Sequence, residues 1–125
     1  VRDVLFVDDL VNAFSRARHE IDRLSGRAFN IGGGPANTVS LLELIQQLEQ
    51  LLQRRVELHF DGWRVGDQRY YVSDTSRFRS ATGWQPRTRV AEGLEALYDW
   101  LTLSELQPSH RRAAAVGVHE LGASG

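Results

Sequence analysis

The chain has 125 residues, of which 42% are apolar and 25% are charged, and its formal net charge is -1 at pH 7. This size suits a single globular domain with its own core, and the near-neutral charge argues against a general nucleic-acid or membrane-surface role. The lack of cysteine excludes disulfides and thiolate metal sites, and no apolar run approaches the roughly 18 residues of a membrane span, so we expect a cytoplasmic chain.

The sequence begins with a predicted strand and helix. A continuous apolar run favours a buried strand over residues 4–7, and because it follows Val1 without a lead-in, it indicates a piece of a longer protein. Asp8 and Asp9 are then expected to cap a helix that Gly26 ends. The apolar positions of this helix recur at steps of three and four: Leu10, Phe14, Ala17, Ile21 and Leu24.

A second strand and helix follow. Residues 28–31 favour a strand that runs into a glycine loop at residues 32–35. Ser40 and Glu43 have the spacing of a capping box, which predicts a helix start at Ser40. Residues 56–60 alternate as a half-buried strand does. The second helix is expected to have a wide apolar side formed by Leu41, Leu44, Ile45, Leu48, Leu51 and Leu52.

The last part of the chain predicts two helices and a tail. Asp74 is placed to cap a brief helix that Gly83 ends. A final amphipathic helix carries Val90, Leu94, Leu97, Tyr98 and Leu101. We expect residues 1–106 to form the binding portion of the chain and residues 107–125 to be a disordered tail. The alternation of strands and helices predicts the α/β class.

The glycine loop loosely imitates a dinucleotide-binding fingerprint, with Glu57 on a later strand. Asn37 stands where the third glycine is required, Pro35 lacks a backbone donor, and the helix cap comes six residues after the glycines. We therefore expect no cofactor-binding residue here. The glycines are predicted to let the chain pass close to a neighbouring element, with Asn37 a weak candidate for ligand contact.

No catalytic or metal-binding constellation is indicated. The histidines lie scattered without metal-ligand spacing, and no serine stands in a nucleophile elbow. The Asp8–Asp9 pair is compatible with acid–base chemistry, but its place at a helix start favours the capping role. The four histidines are His19, His59, His110 and His119.

The segment from residue 63 to residue 74 has the chemistry of a nucleotide-binding loop. Arg64 and Arg69 can each offer a planar fork of donors to phosphate, and Gly66 between them permits a tight bend. Asp67 supplies a strong acceptor for ribose or sugar hydroxyls. From these residues alone, a solvated surface turn is an equally good interpretation.

Residues 70–72 read as a short strand after that loop. Tyr70 and Tyr71 are then expected to point to opposite faces, so that one lines a pocket while the other packs.

Three motifs resemble one known family. Residues 2–9, 29–33 and 64–67, in this order and at these intervals, resemble the C-terminal portion of the extended short-chain dehydrogenase/reductase family. The resemblance covers about residues 1–101. Within the family, four stretches most resemble the epimerases that act on CDP-sugars, namely residues 30–34, 40–44, 66–69 and 98–100.

The resemblance implies a two-part enzyme. An N-terminal Rossmann domain would hold NAD, and a smaller C-terminal domain would hold a nucleotide diphosphate sugar. This sequence lacks the glycine fingerprint and the Tyr-x-x-x-Lys pair, and it contains no lysine at all. The NAD site and every catalytic residue are therefore expected in an N-terminal half that precedes Val1, in a parent enzyme that is a homo-oligomer.

The resemblance also implies a set of substrate-binding residues. Arg2 and Arg64 would clamp the diphosphate, Asp67 would hold ribose hydroxyls, and Tyr71 would stand near the sugar. Arg69 would contact a phosphate or the base. The chemistry of the residues agrees for Arg64 and Asp67, whereas for Arg2 it is silent.

The implied reaction is epimerisation in carbohydrate biosynthesis, in which NAD takes a hydride from a sugar carbon and returns it to the other face. The chain would orient the substrate, and alone it is predicted to be inactive. Two alternatives stand beside this reading. One is a non-catalytic anion- or nucleotide-binding structural module, and the other is the same portion of a UDP-sugar 4-epimerase or a dTDP-sugar 4,6-dehydratase.

Overall fold

The computed structural model describes residues 1–105. The chain divides into two compact units, Val1–Leu94 and Glu95–Gly125, and the predicted tail lies outside the described residues. Helices and strands together form a small α/β structure, as the sequence predicts. The elements are β1 (Arg2–Asp3), α1 (Val7–His19), α2 (Ile21–Leu24), a 3-10 turn (Pro35–Asn37), β2 (Thr38–Val39), α3 (Leu41–Leu52), α4 (Ser76–Thr82) and α5 (Val90–Glu105).

The first strand is shorter than predicted and lies earlier in the chain. β1 pairs antiparallel with β2, with Arg2 opposite Val39 and Asp3 opposite Thr38. The predicted strand over residues 4–7 is wrong, because the chain opposite Val4 is already in the 3-10 turn and cannot extend the ladder. A single hydrogen bond, from Val4 N to Asn37 O at 3.0 Å, closes the pairing.

The first helix also differs from the prediction. Its N-cap is Phe6, which makes no side-chain capping bond, so Asp8 and Asp9 lie in the first turn. There the positive end of the helix dipole still favours their charge. The helix stops at His19, and the non-helical Glu20 separates it from α2.

The buried face of α1 is rotated from the predicted one. Ala13 is 1% exposed, whereas Phe14 is 65% exposed and Ile21, in α2, is 54% exposed. The apolar steps in the sequence marked the core face correctly at Ala17 and Leu24 but not at Phe14 and Ile21.

Two further predicted strands are absent from the described part of the chain. Residues 28–31 form no strand, although Phe29 and Ile31 pack against the core. Residues 56–60 are exposed and also form no strand, with Phe60 81% exposed. An alternating pattern becomes a strand only where a second segment satisfies its backbone, and neither segment has such a partner among the described residues.

Local contacts confirm the predicted start of α3 and the predicted end of α4. Ser40 Oγ accepts from Glu43 N at 3.2 Å, and Glu43 Oε2 accepts from Ser40 N at 2.7 Å, which is the predicted capping box of α3. α4 ends at Gly83 with a φ of 70°, as predicted. The prediction that Asp74 is its N-cap is wrong, because the N-cap is Thr75, although Asp74 Oδ1 still accepts from Ser76 N at 2.9 Å.

The core of the first unit lies between α1, α2 and α4. Its buried members are Ala13, Leu24, Phe78 and Trp84. The Phe78 ring meets both Phe29, at 5.5 Å between centroids, and Trp84, at 5.6 Å, in edge-to-face contacts. By contrast, the apolar side of α3 has no buried residue. Within the described residues, no helix is long and apolar enough to cross a membrane.

Candidate functional site

The predicted loop reaches the N-terminal strand through its backbone. The backbone nitrogen of Val1 donates to Arg69 O at 2.8 Å, and Tyr71 N donates to Val1 O at 3.1 Å. A parallel bridge then joins Arg2 to Tyr71. Three predicted substrate-binding residues, Arg2, Arg69 and Tyr71, are therefore neighbours at one edge of the small sheet.

A tight turn precedes this junction. Asp67 N donates to Arg64 O at 3.2 Å, which closes a four-residue turn, and Gly66 at its third position has a φ of 84°. A positive φ at the third residue alone is characteristic of a type II turn, where glycine is favoured. The predicted bend at Gly66 is confirmed. The turn places Arg64 and Asp67 at its two ends, so both side chains leave the same short loop.

An exposed ion pair connects the turn to β1. Arg2 Nη2 lies 3.6 Å from Asp67 Oδ1, and the two side chains are 44% and 49% exposed. Arg2 Nη1 also donates to Val1 O at 3.1 Å. A pair with this exposure contributes about 0–1 kcal/mol to stability. Both partners therefore remain available to a ligand that offers a stronger contact.

The remaining side chains of the loop are open to solvent. The guanidinium of Arg69 lies 5.1 Å from the centre of the Trp63 ring, which is itself 68% exposed. Arg64 makes no side-chain hydrogen bond or ion pair with any residue that the structure describes.

The predicted strand over residues 70–72 is reduced to the single bridge at Tyr71, because only this residue meets β1. Tyr70 and Tyr71 are both exposed, so the prediction that one of them packs is wrong.

A half-buried carboxylate that the sequence did not reveal supports this edge. Asp3 Oδ2 accepts from Gly34 N at 2.8 Å. Burial raises the pKa of Asp3, but hydrogen bonds from Gly34 N and from the hydroxyl and backbone of Ser73 outweigh it and hold the pKa below its usual value. Asp3 thus ties β1 to two other segments directly beside Arg2. Only the position of Asp3 next to Arg2 in the sequence hints at this role.

The glycine loop packs closely against Asp3, Val4 and Ser73. A methyl group on Gly33 would lie 2.7 Å from the carbonyl carbon of Val4, and one on Gly32 would lie 2.7 Å from Asp3 Oδ2. The predicted close passage of the chain is therefore confirmed. Because Gly34 N already donates to Asp3, this loop does not fit the pyrophosphate of NAD.

Two polar residues singled out in the sequence are internal links. Asn37 is 3% exposed, and its Nδ2 donates to Thr88 O at 2.9 Å, so its burial does not support ligand contact. Asp9 is 6% exposed, and its Oδ2 accepts from Arg87 N at 3.1 Å and Thr88 N at 2.9 Å. The capping interpretation of Asp9 is wrong, since its carboxylate joins α1 to the segment that precedes α5.

The histidines do not assemble a metal centre in the described region. His59 Nε2 lies 3.7 Å from Glu57 Oε1, and both side chains are more than four-fifths exposed at 85% and 86%. Within residues 1–105, no group of three potential metal-ligating side chains occurs. His110 and His119 lie outside the described residues.

Comparison with known proteins identifies relatives of one kind, although no family model matches. The chain is 35% identical over 102 residues to the CDP-paratose 2-epimerase of Salmonella typhi, covering 80% of the chain and 30% of the relative. It is 38% identical over 93 residues to the UDP-glucose 4-epimerase of Mycolicibacterium smegmatis, covering 74% and 28%. The chain thus spans less than a third of the length of these curated relatives.

A solved structure agrees with these relatives. The UDP-glucose-4-epimerase from Stenotrophomonas maltophila, with bound NAD and formylated UDP-arabinopyranose, superposes with a TM-score of 0.72 at 26% identity. The superposition covers 83% of this chain and 31% of that one. A crystal structure of a UDP-galactose 4-epimerase, at 24% identity and a TM-score of 0.64, shares the fold.

Proposed function

Because this chain belongs to the extended short-chain dehydrogenase/reductase family, we propose that it is the substrate-binding part of an NAD-dependent nucleotide-sugar epimerase. The observation that carries the proposal is the junction between β1 and the turn that has Arg64 and Asp67 at its two ends. It gathers exposed arginines, an exposed carboxylate and exposed aromatic rings at one edge of the sheet. We assign this role to residues 1–106.

The diphosphate is the group that the arginines recognise. Arg2 and Arg64 present guanidinium forks, and a diphosphate offers each of them a charge-assisted, bidentate contact. The present partner of Arg2 is the carboxylate of Asp67 at 3.6 Å, which is too distant for a strong hydrogen bond. A diphosphate would therefore replace Asp67 as the partner of Arg2.

That replacement would release Asp67 for a second task. A carboxylate accepts hydrogen bonds from two adjacent hydroxyls, which is the pattern that ribose offers. Arg69 is held against the Trp63 ring, so its charge stays near the loop for a phosphate or base contact. Tyr71 follows at the edge of the sheet, where we place the sugar.

These residues orient the substrate and do not react with it. Contacts made with the nucleotide supply binding energy remote from the reacting carbon, which fixes the sugar in position. NAD, when bound, supplies the acceptor and donor for the hydride, and the described residues do not form its site. We propose that a part of the protein outside this chain holds NAD. We also propose that the whole protein is a homo-oligomer.

Two candidate functions differ in the nucleotide of the substrate. The motif resemblance and the 35% identity to a CDP-paratose 2-epimerase favour a CDP-sugar. The 38% identity to a UDP-glucose 4-epimerase favours UDP-sugar 4-epimerisation as a second candidate. Competition between CDP and UDP for the protein at its natural length separates them. We expect CDP to compete better, and a clear preference for UDP would establish the second candidate.

The substitution Arg64→Ala tests the binding role. We expect nucleotide-sugar affinity, measured by titration calorimetry, to fall by about 1.5–3 kcal/mol, because a charged hydrogen-bonded contact to phosphate is lost. Arg64→Lys should recover only part of the affinity, since it keeps the charge and loses the fork.

The matched control is Arg18→Ala, which removes another exposed arginine, on α1. It should leave affinity unchanged. A folded Arg64→Ala protein with wild-type affinity would remove Arg64 from the site. Absence of turnover in the protein at its natural length, supplied with NAD and nucleotide sugars, would favour a non-catalytic binding module.

A further inference from the structure

A second cationic surface lies between α4 and the region of α2. It is a depression of about 450 Å³ lined by three arginines, two serines and one alanine. None of its residues belongs to the substrate-binding loop or to β1. The lining residues are Arg23, Arg27, Ser76, Arg77, Ser80 and Ala81.

Two of the arginines are held in place by an aromatic ring. The guanidinium carbon of Arg27 lies 5.0 Å from the centre of the Phe29 ring, and that of Arg77 lies 5.9 Å from it. Phe29 is itself fixed, because its ring packs edge-on against buried Phe78 at 5.5 Å. Both cations are thus attached to the core through one ring, which lowers the entropy that they would lose on binding a ligand.

The charge of these two arginines is not compensated. Within the described residues, neither Arg27 nor Arg77 has a carboxylate within ion-pair distance. Arg23 differs, because its Nη1 pairs with Glu20 Oε2 at 2.6 Å while its Nη2 donates to Ala81 O at 3.4 Å. Asp74, which precedes α4, accepts from the backbone nitrogen of Ser76.

The polar groups around these cations suit one ligand chemistry. Ser76 and Ser80 are four residues apart on α4, so their hydroxyls lie on one face of the helix. Guanidinium forks with hydroxyl donors bind the oxygens of phosphate, and two uncompensated positive charges match an anion of more than one negative charge. We propose that this depression binds a diphosphate anion at a site separate from the substrate loop.

Pyrophosphate is the probe that tests the proposal. The protein at its natural length would be titrated by calorimetry in an Arg64→Ala background, so that the substrate loop does not dominate the signal. We expect binding that Arg77→Gln weakens by about tenfold or more and that added salt also weakens. Arg18→Gln, which removes an equal charge elsewhere on the surface, should change the affinity less than twofold.

A second pair of variants distinguishes a loss of pyrophosphate binding from a loss of protein stability. Arg77 lies against the Phe29 ring, so its replacement could disturb the core, whereas Arg23 and Ser80 are both exposed. Arg23→Gln and Ser80→Ala should each weaken pyrophosphate binding severalfold while leaving the unfolding transition in place.

Three results would overturn the proposal. They are no pyrophosphate binding in the Arg64→Ala background, equal losses in Arg18→Gln and Arg77→Gln, or unchanged affinity in both Arg23→Gln and Ser80→Ala. Repeating the titration with ADP identifies the source of the diphosphate. Tighter binding of ADP than of pyrophosphate indicates a nucleotide, and the reverse order indicates a free anion.

Discussion

The contact between the glycine loop and β1 predicts that Gly33→Ala is strongly destabilising. The added methyl group would lie 2.7 Å from the carbonyl carbon of Val4, closer still to its oxygen, and 3.0 Å from Asn37 Cβ. Ordinary contact begins at 3.4 Å, so the Val4 carbonyl would have to move by at least about 0.7 Å, the difference between 3.4 and 2.7 Å. All three neighbours belong to backbone or to a buried side chain, so none can rotate away.

The cost of Gly33→Ala has two parts. Overpacking a filled site costs about 1–3 kcal/mol. Separating the two segments also weakens the hydrogen bond from Val4 N to Asn37 O, now 3.0 Å, which contributes about 1 kcal/mol. The lower entropy of the unfolded chain with alanine returns about 0.4–1 kcal/mol. We expect a net loss of about 1–3.6 kcal/mol in the free energy of unfolding.

Urea unfolding, followed by tryptophan fluorescence, measures this loss in the protein at its natural length. Gly62→Ala is the matched control, because a methyl group there meets nothing within 4 Å. We expect its free energy of unfolding to stay within about 0.5 kcal/mol of the wild type. Equal stability of the two variants would refute the close packing at Gly33. Because Val4 follows β1, Gly33→Ala should also shift Arg2 and lower nucleotide affinity.

Further predictions concern carboxylates and the isolated chain. Asp9→Ala should lower the free energy of unfolding by about 3 kcal/mol, because Arg87 N and Thr88 N lose their acceptor. Asp8→Ala, at an exposed position, should lower it far less, and equal losses in urea unfolding would contradict this. The pKa of Asp3 is lower in the folded state than its usual 3.8, so its contribution to stability is complete above that pH and is lost as the pH falls through the folded value. Asp3→Asn should flatten the acid limb of the stability profile, and an unchanged limb would exclude Asp3. The chain of residues 1–125 alone should show neither tight NAD retention nor epimerisation of a nucleotide sugar, and clear turnover would show that its own residues suffice for catalysis.

Contacts between residues close in the chain were readable from the sequence. The capping box of Ser40 and Glu43, the end of α4 at Gly83 and the bend at Gly66 all match the structure. Each depends on donors, acceptors and backbone angles within three or four residues, so the local sequence contains the whole physical cause. The residue types and spacing of Arg64 and Asp67 likewise led to the proposal of a nucleotide-binding pair.

Only the tertiary structure decided which extended segments pair and which charges meet. A strand exists only with a partner, and β1 finds its partner at Val39, more than thirty residues further along the chain, while residues 28–31 and 56–60 find none among the described residues. The same holds for Arg2 with Asp67 and for Asp9 with Thr88. These contacts depend on how distant segments pack, and that information is spread over the whole chain and not held in any short pattern.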